Sequence, residues 1–223
     1  MVSDLGSGAG YRETLALQEN LHARRVSGDV PDTLLLLEHR PVYTLGRSAS
    51  ADNVLASDEW LRRADIERAE TTRGGDVTYH GPGQLVGYPI IHLGGVGLRV
   101  LEYVDALEET LIRAVAAFGV TAGRDARNRG VWVGNDKLAA LGIRVSRHVT
   151  MHGFALNVAP RLEDYRGIVA CGLKDAGVTS LARLLGEAPP MPEVKARVDA
   201  AFRDVFGYAR MMGIGDCRGK VTA

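Results

Sequence analysis

Residues 73–84, Arg-Gly-Gly-Asp-Val-Thr-Tyr-His-Gly-Pro-Gly-Gln, constrain this chain more than any other stretch. Five of these twelve residues are glycine or proline. Such residues turn a backbone sharply or, as glycine, let it approach a ligand closely. Arg73, Asp76, Thr78, Tyr79 and His80 stand among them. A generic glycine-rich segment reads as a surface loop. Here Thr-Tyr-His lies between two glycine turns, and the apolar residues 85–91 that follow read as a strand. Polar groups held beside a sheet in this way form a binding surface.

The rest of the chain supplies a framework for that stretch. Residues 33–38 and 42–45 are short apolar runs and read as strands. Residues 11–25 favour a helix, with Leu17, Leu21 and Arg24 near helical spacing. A helical turn is expected at 59–65 and a strand at 66–70. Residues 100–118 form the clearest helix. Val100, Val104, Leu107, Leu111, Val115 and Phe118 recur on one face, and Gly119 ends it. Two strands, 131–133 and 137–145, join through Gly134 and Asn135 as a hairpin. Residues 149–151 and 154–158 extend the sheet. Thr179 and Ser180 cap a short helix to Leu185, and residues 192–206 form a last amphipathic helix. The fold class expected is α+β, with mixed or antiparallel sheets flanked by helices. One domain over residues 1–223 is expected, with its core in 11–210 and a frayed Gly/Ser-rich start at 1–9.

Charge and composition exclude several classes of function. Lys+Arg and Asp+Glu both number 27, which argues against a general nucleic-acid binder. No apolar run is long enough to span a membrane. The N-terminus lacks the basic start and apolar run of a secretory signal. Two cysteines, Cys171 and Cys217, suit a reducing compartment, so a cytoplasmic location is expected.

Cys171 is followed by Gly172, which leaves the sulfur and nearby backbone N–H groups accessible. Many free cysteines are simply buried. A free thiol has a pKa of about 8.5 and needs a cation or base beside it before it attacks well. Lys137, Lys174, His80, His148 and His152 are the candidates for that role. Lys137 begins a strand of small and apolar residues, where desolvation can turn an amine into a base. A Cys–His pair with His80 or His152 is the alternative. His148 and His152 stand four apart on a strand, roughly 13 Å between Cα atoms, and no third ligand accompanies them. No metal is therefore expected. No phosphate-binding glycine motif occurs either, and no cofactor is expected.

Taken together, these motifs resemble the lipoyl(octanoyl) transferases of the LipB type. The resemblance rests on residues 73–84, on Lys-Leu-Ala-Ala-Leu-Gly-Ile-Arg-Val (137–145) and on His-Gly-Phe-Ala-Leu-Asn-Val (152–158). Cys-Gly-Leu (171–173), Val-Thr-Ser-Leu (178–181) and the early His-Arg-Pro-Val-Tyr-Thr-Leu-Gly-Arg (39–47) complete it. It implies the catalytic-domain fold of biotin and lipoate protein ligases. It implies transfer of octanoyl from acyl carrier protein to a lysine of lipoate-dependent domains. Those domains are the lipoyl domains of 2-oxoacid dehydrogenase E2 subunits and the glycine cleavage H protein. Cys171 would be the acyl-thioester nucleophile, and Lys137 would lower its pKa and relay protons. Arg73, Gly74, Gly75, Asp76, Val77, Thr78, Tyr79 and His80 would line the acyl pocket. Ala140, Leu141, Gly142, Gly153, Phe154 and Ala155 would complete it. Ala170 stands where the family pattern has Pro, and His148 where it often has an aromatic residue.

The implied chemistry balances. Exchange of one thioester for another is nearly isoenergetic, and the amide formed next is more stable, so no ATP is needed. Ala139, Ala140 and Gly142 leave room for an eight-carbon chain, each buried CH₂ contributing about 0.8 kcal/mol. Arg62, Arg63 and Arg68, or Arg124, Arg127 and Arg129, offer docking patches for an acidic carrier. The rival reading is an ATP-dependent lipoate- or biotin-type ligase on the same scaffold, which needs no nucleophilic cysteine. A non-catalytic acyl- or lipoyl-domain-binding module would need neither Cys171 nor Lys137.

Overall fold

In the computed structural model, residues 1–169 and 176–208 are described. Seven strands form one sheet in the order β1 (Val2–Asp4), β2 (Thr33–Leu37), β6 (Gln84–Ile90), β9 (Val149–Asn157), β8 (Asp136–Ser146) and β10 (Gly177–Val178). β7 (Gly130–Val133) also pairs with β8, closing the hairpin that Gly134 turns at φ 59°. A second sheet sets β3 (Val42–Leu45) between β4 (Glu67–Glu70) and β5 (Val77–His80). β2, β6, β9 and β8 are mutually antiparallel neighbours, whereas β1 and β10 join in parallel.

Side chains alternate between the two faces of a strand, so the leucine run of β2 serves both. Leu34 and Leu36 pack with α3 (Val100–Ala116) and α5 (Met191–Val205), against Leu107, Leu111, Val198 and Phe202. Leu35 and Leu37 face the other way, toward Leu21 of α1 (Tyr11–Ser27). All four leucines are at most 2% exposed, and burying each contributes roughly 1.5–3 kcal/mol. The smaller sheet has its own core. There Tyr43, Val77 and Tyr79 meet Leu61 of α2 (Asp58–Ala64) and Tyr165 of a 3-10 turn at Leu162–Gly167.

Four sequence expectations differ from the structure. Residues 1–9 are not frayed as a whole: Val2 is buried, and Val2–Asp4 pairs with Leu34, Leu35 and Leu36. The apolar Val2 anchors the strand, and the Met1 ammonium donates to the Asp32 carbonyl at 2.5 Å. The buried face of α1 is Tyr11, Thr14, Gln18 and Leu21, not the stripe through Leu17 and Arg24. Val100 is exposed, because α3 reaches its packing partners only from Tyr103 onward. Residues 149–157 form one strand without a break, although His152 within it sits at φ 59°. The short helix α4 (Leu181–Leu185) is capped by Ser180, whose hydroxyl accepts the Arg183 N–H at 3.2 Å. No helix of the described residues is long and apolar enough to cross a membrane.

Candidate active site

A cavity of about 280 Å³ lies where the glycine-rich stretch faces β8 and β9. One wall is Arg73, Gly75, Asp76, Val77, Thr78 and His80. The opposite wall is Ala140, Leu141 and Gly142, each paired in register with Ala155, Phe154 and Gly153. Two of the residues expected to line it do not. Gly74 instead pins the stretch to β8 by donating its N–H to the Ile143 carbonyl at 2.9 Å. Alternation along β5 sends Thr78 and His80 to the cavity and Tyr79 away from it. The Tyr79 hydroxyl donates to Asp164 Oδ2 at 2.8 Å, within the core of the small sheet. Ala139, expected to leave room for a chain, is buried in the core that packs α3 and α5.

Arg73 is 7% exposed, and its guanidinium is held by oxygen atoms of neighbouring backbone and side chain. Nη2 donates to the Thr44 carbonyl at 2.6 Å and to Thr44 Oγ1 at 2.9 Å, and Nη1 donates to the Gly74 carbonyl at 3.1 Å. Its Cδ lies where a side chain on β8 would point. A Cβ on Gly142 would stand 3.0 Å from that atom and 3.2 Å from the Gly74 carbonyl. The missing side chain at 142 therefore makes room for Arg73 as much as for a ligand.

The cavity is also bordered by Tyr11, Tyr88 and His152, part of a ring cluster that includes His39 and His80. Tyr11 stacks over His80 with ring centroids 6.3 Å apart. Gln84 fixes the tautomer of His80. Its Nε2 donates to Tyr165 Oη, Asn157 Oδ1 and the Tyr79 carbonyl, so its Oε1 must accept. His80 Nδ1, 2.7 Å away, is then the N–H donor, and Nε2 keeps its lone pair. Burial, with His39 adding to it, pushes His80 down to about 3, against the opposing bond to Gln84. His39 is likewise pushed to about 4 by burial, its Nδ1 donating to the Ala9 carbonyl and its Nε2 accepting from Tyr88 Oη at 2.7 Å. His152 falls to about 3, from burial first and then from the nearby charges of Arg73 and Arg144. All three are neutral near pH 7. The left-handed conformation of His152 turns its own N–H to Gln18 Oε1 at 2.9 Å. A non-glycine residue held this way costs of order 1–3 kcal/mol and clusters at functional sites.

Lys137 stands at the start of β8, 7% exposed, beyond the wall itself. Its Nζ donates to Asn128 Oδ1 at 2.6 Å and to the Arg129 carbonyl at 3.2 Å. It lies 4.8 Å from the centre of the Trp132 ring, which supports a cation through its face. Asn128 lines the cavity, so one side chain joins the lysine to the cavity edge.

Cys171, Gly172, Leu173 and Lys174 lie outside the described residues, as do Ala170 and Cys217. The chain on either side is tied to the site. On the side before Cys171, Val169 donates its N–H to the Asn53 carbonyl at 2.9 Å, and the Asn53 amide donates to the Asp76 carboxylate. After it, Gly177 and Val178 pair with Asp136 and Lys137, and Thr179 donates its N–H to the Lys137 carbonyl at 3.0 Å.

Of the two arginine patches, Arg124, Arg127 and Arg129 are engaged with Glu108, Glu109, Asp125 and Asp105. Arg63 pairs with Glu59, while Arg62 and Arg68 are exposed. His148 is exposed at φ 63°, and its ring lies 6.2 Å from that of His92. Among the described residues no three His, Cys, Asp or Glu side chains are grouped to hold a metal ion. Tyr11, Ser48, Tyr88 and Asn128 border the cavity without having been singled out in the sequence. Tyr88 sits in an apolar strand and reads as core; its only sign was a hydroxyl that a buried tyrosine must satisfy.

The lipoyl protein ligase A/B catalytic-domain family matches residues 10–203. The chain belongs to this family. An octanoyltransferase of Caldicellulosiruptor bescii is 52% identical over 199 residues, covering 88% of this chain and 87% of its own. One of Syntrophobacter fumaroxidans is 48% identical over 196 residues, covering 88% and 86%. Within the lipoyl protein ligase A/B family the chain thus groups with proteins named octanoyltransferases. The fold is that of solved lipoate-protein and biotin ligase catalytic domains. A crystal structure of lipoate-protein ligase A bound with ATP superposes with a TM-score of 0.79 at 14% identity, covering 92% of this chain and 85% of that one. Biotin protein ligase from Aquifex aeolicus, in complex with biotin and ATP, superposes at 0.56 with 15% identity, covering 92% and 70%.

Proposed function

We propose that the protein transfers an octanoyl group from octanoyl-acyl carrier protein to a lysine of lipoyl domains, through a thioester on Cys171. The observation that carries this reading is the register of β10 on β8. The chain leaving the Cys171 segment is paired to Lys137 itself. The same strand reaches the cavity three residues later at Ala140. A nucleophile carried there would have an amine and an acyl-sized cavity on one strand.

In the first step the Cys171 thiolate attacks the thioester carbonyl. The new C–S bond forms, the carrier's C–S bond breaks, and the carrier thiol takes a proton from Lys137. In the second step the acceptor amine attacks the acyl-enzyme. A C–N bond forms, the C–S bond to Cys171 breaks, and the amine's proton passes to Lys137. Positioned proton transfer of this kind contributes roughly 10²–10⁴-fold. The cavity wall of Leu141, Phe154 and Ala155 supplies an apolar surface for the chain. His80 presents an unprotonated Nε2, so it can accept a hydrogen bond but not donate one from that atom.

Transfer to an isolated lipoyl domain tests the proposal. With octanoyl-carrier protein and no ATP, the acceptor should gain an octanoyl amide on its lysine. Modification that occurs only with free octanoate and ATP would establish the ligase reading instead.

A further inference from the structure

We propose that Glu108, on α3, is a positioning residue that holds the grip on Lys137. This inference rests on the reading of Lys137 as the base. Glu108 is 1% exposed, an unusual place for a carboxylate, among the buried residues of the helix. Its Oε1 accepts the Gly130 N–H at 2.9 Å. Its Oε2 receives Arg129 Nη1 at 3.1 Å and Arg124 Nε at 3.2 Å. The two arginines have other anions as well: Arg129 reaches Asp105 at 2.5 Å and Arg124 reaches Glu109 at 2.9 Å. Among the described residues, the Gly130 N–H donates to no side chain other than Glu108.

That N–H sits inside the seat of the lysine. Residues 128 and 129, just before it, provide the two oxygens that Nζ bonds. Gly130 itself is at φ 147°, and a Cβ there would stand 2.6 Å from the Ala139 carbonyl and 3.1 Å from Lys137 Cε. The bare backbone is thus pressed against the lysine stem. Asn128 is held a second way, its carbonyl accepting from Trp132 Nε1 at 3.1 Å. Glu108 therefore fixes Gly130, Gly130 fixes the Arg129 carbonyl and Asn128, and these fix Nζ. Glu108 touches neither the cavity nor the lysine.

The geometry assigns the work to reach rather than charge, because both arginines keep a second carboxylate whereas the Gly130 N–H has no other side-chain acceptor among the described residues. Glu108→Gln keeps an oxygen for the Gly130 N–H but turns an NH₂ toward Arg129 and Arg124 in place of Oε2; Glu108→Asp keeps the charge but withdraws it by one CH₂. A displacement of about 1 Å at a reacting group costs roughly 10²-fold. Single-turnover acylation by octanoyl-carrier protein should therefore fall by roughly 10- to 100-fold in Glu108→Asp. In Glu108→Gln it should fall severalfold less than in Glu108→Asp, the Gly130 bond being retained and the arginines keeping Asp105 and Glu109. KM for the donor should change far less than the acylation rate in both, since Glu108 is not in the cavity lining and only Asn128, at its edge, depends on it. In a Lys137→Ala background, Glu108→Asp should have no further effect. The reverse order of the two variants, or an equal loss from Glu108→Asp with and without Lys137, would overturn the proposal. Full activity in Lys137→Ala alone would instead remove the reading of Lys137 as the base.

Discussion

Val178 lies opposite Lys137 in a parallel strand pair, and the next residue, Thr179, donates its N–H to the Lys137 carbonyl at 3.0 Å. A two-residue strand is a small element, yet it joins the two segments that carry the proposed nucleophile and base. The lysine is thereby held at its backbone by β10 and at its Nζ by Asn128 and the Arg129 carbonyl.

Lys137→Ala should lower the rate of acyl transfer by roughly 10²–10⁴-fold, the usual worth of a positioned acid–base group. Circular dichroism and the cooperativity of unfolding should be retained. Transfer at the wild-type rate would move the role to another group.

Gly142→Val should impair both packing and turnover. Its Cβ would stand 3.0 Å from Arg73 Cδ, and its methyl groups have still less space. Overpacking of this kind costs typically about 1–3 kcal/mol. The urea midpoint should fall, and kcat/KM for the octanoyl donor should fall further than that for a shorter acyl donor. Equal losses for both donors would show that residue 142 does not bound the acyl chain.

Stability should decline with acid from an unusually high pH. His39, His80 and His152 are pushed to about 4, 3 and 3, against about 6.5 in an unfolded chain. Between those values the unfolded state binds protons that the folded state refuses. Stability is therefore complete above about pH 6.5 and is lost as the pH falls toward 3–4, by up to about 1.4 kcal/mol per pH unit for each histidine. Urea unfolding between pH 7.5 and 4.5 measures the slope. His152→Gln should flatten it by the share of one proton, and an unchanged slope would contradict the depressed value at that site.

Asp76→Ala and Asn53→Ala should be non-additive. The carboxylate of Asp76 accepts from Asn53, whose carbonyl receives the Val169 N–H just before the Cys171 segment. Each single change should slow acylation, and the pair should lose little more than either alone, with a coupling of about 0.5–3 kcal/mol. Simple additivity would separate Asp76 from that segment.

Much of the framework was legible because its signals are local. The apolar run Leu34–Leu37 reads as a buried strand from its own residues, and the stripe from Val104 to Val115 needs only the period of a helix. The Gly134 turn and the Ser180 cap are fixed by residues next to one another. The two motif segments that meet across the cavity could also be read, since each is continuous in the chain. What sequence did not disclose depends on distant partners. Tyr11 joins the cavity from a helix more than sixty residues away from the stretch it faces, and Val2 becomes a strand only because β2 offers an edge. Tyr79 and Gly74 read as lining residues because a motif carries no facing information; the pleat of β5 and one hydrogen bond to Ile143 decide otherwise. Glu108 was invisible for the opposite reason. A charged residue in a helix reads as solvent-facing until the loop it bonds is known.

The most direct measurement is the intact mass of the protein after incubation with octanoyl-carrier protein in the absence of ATP. A single octanoyl adduct is expected, labile to hydroxylamine as a thioester is, absent in Cys171→Ser and formed far more slowly in Lys137→Ala. No adduct on the wild-type protein, together with ATP-dependent modification of a lipoyl domain, would contradict transfer through Cys171.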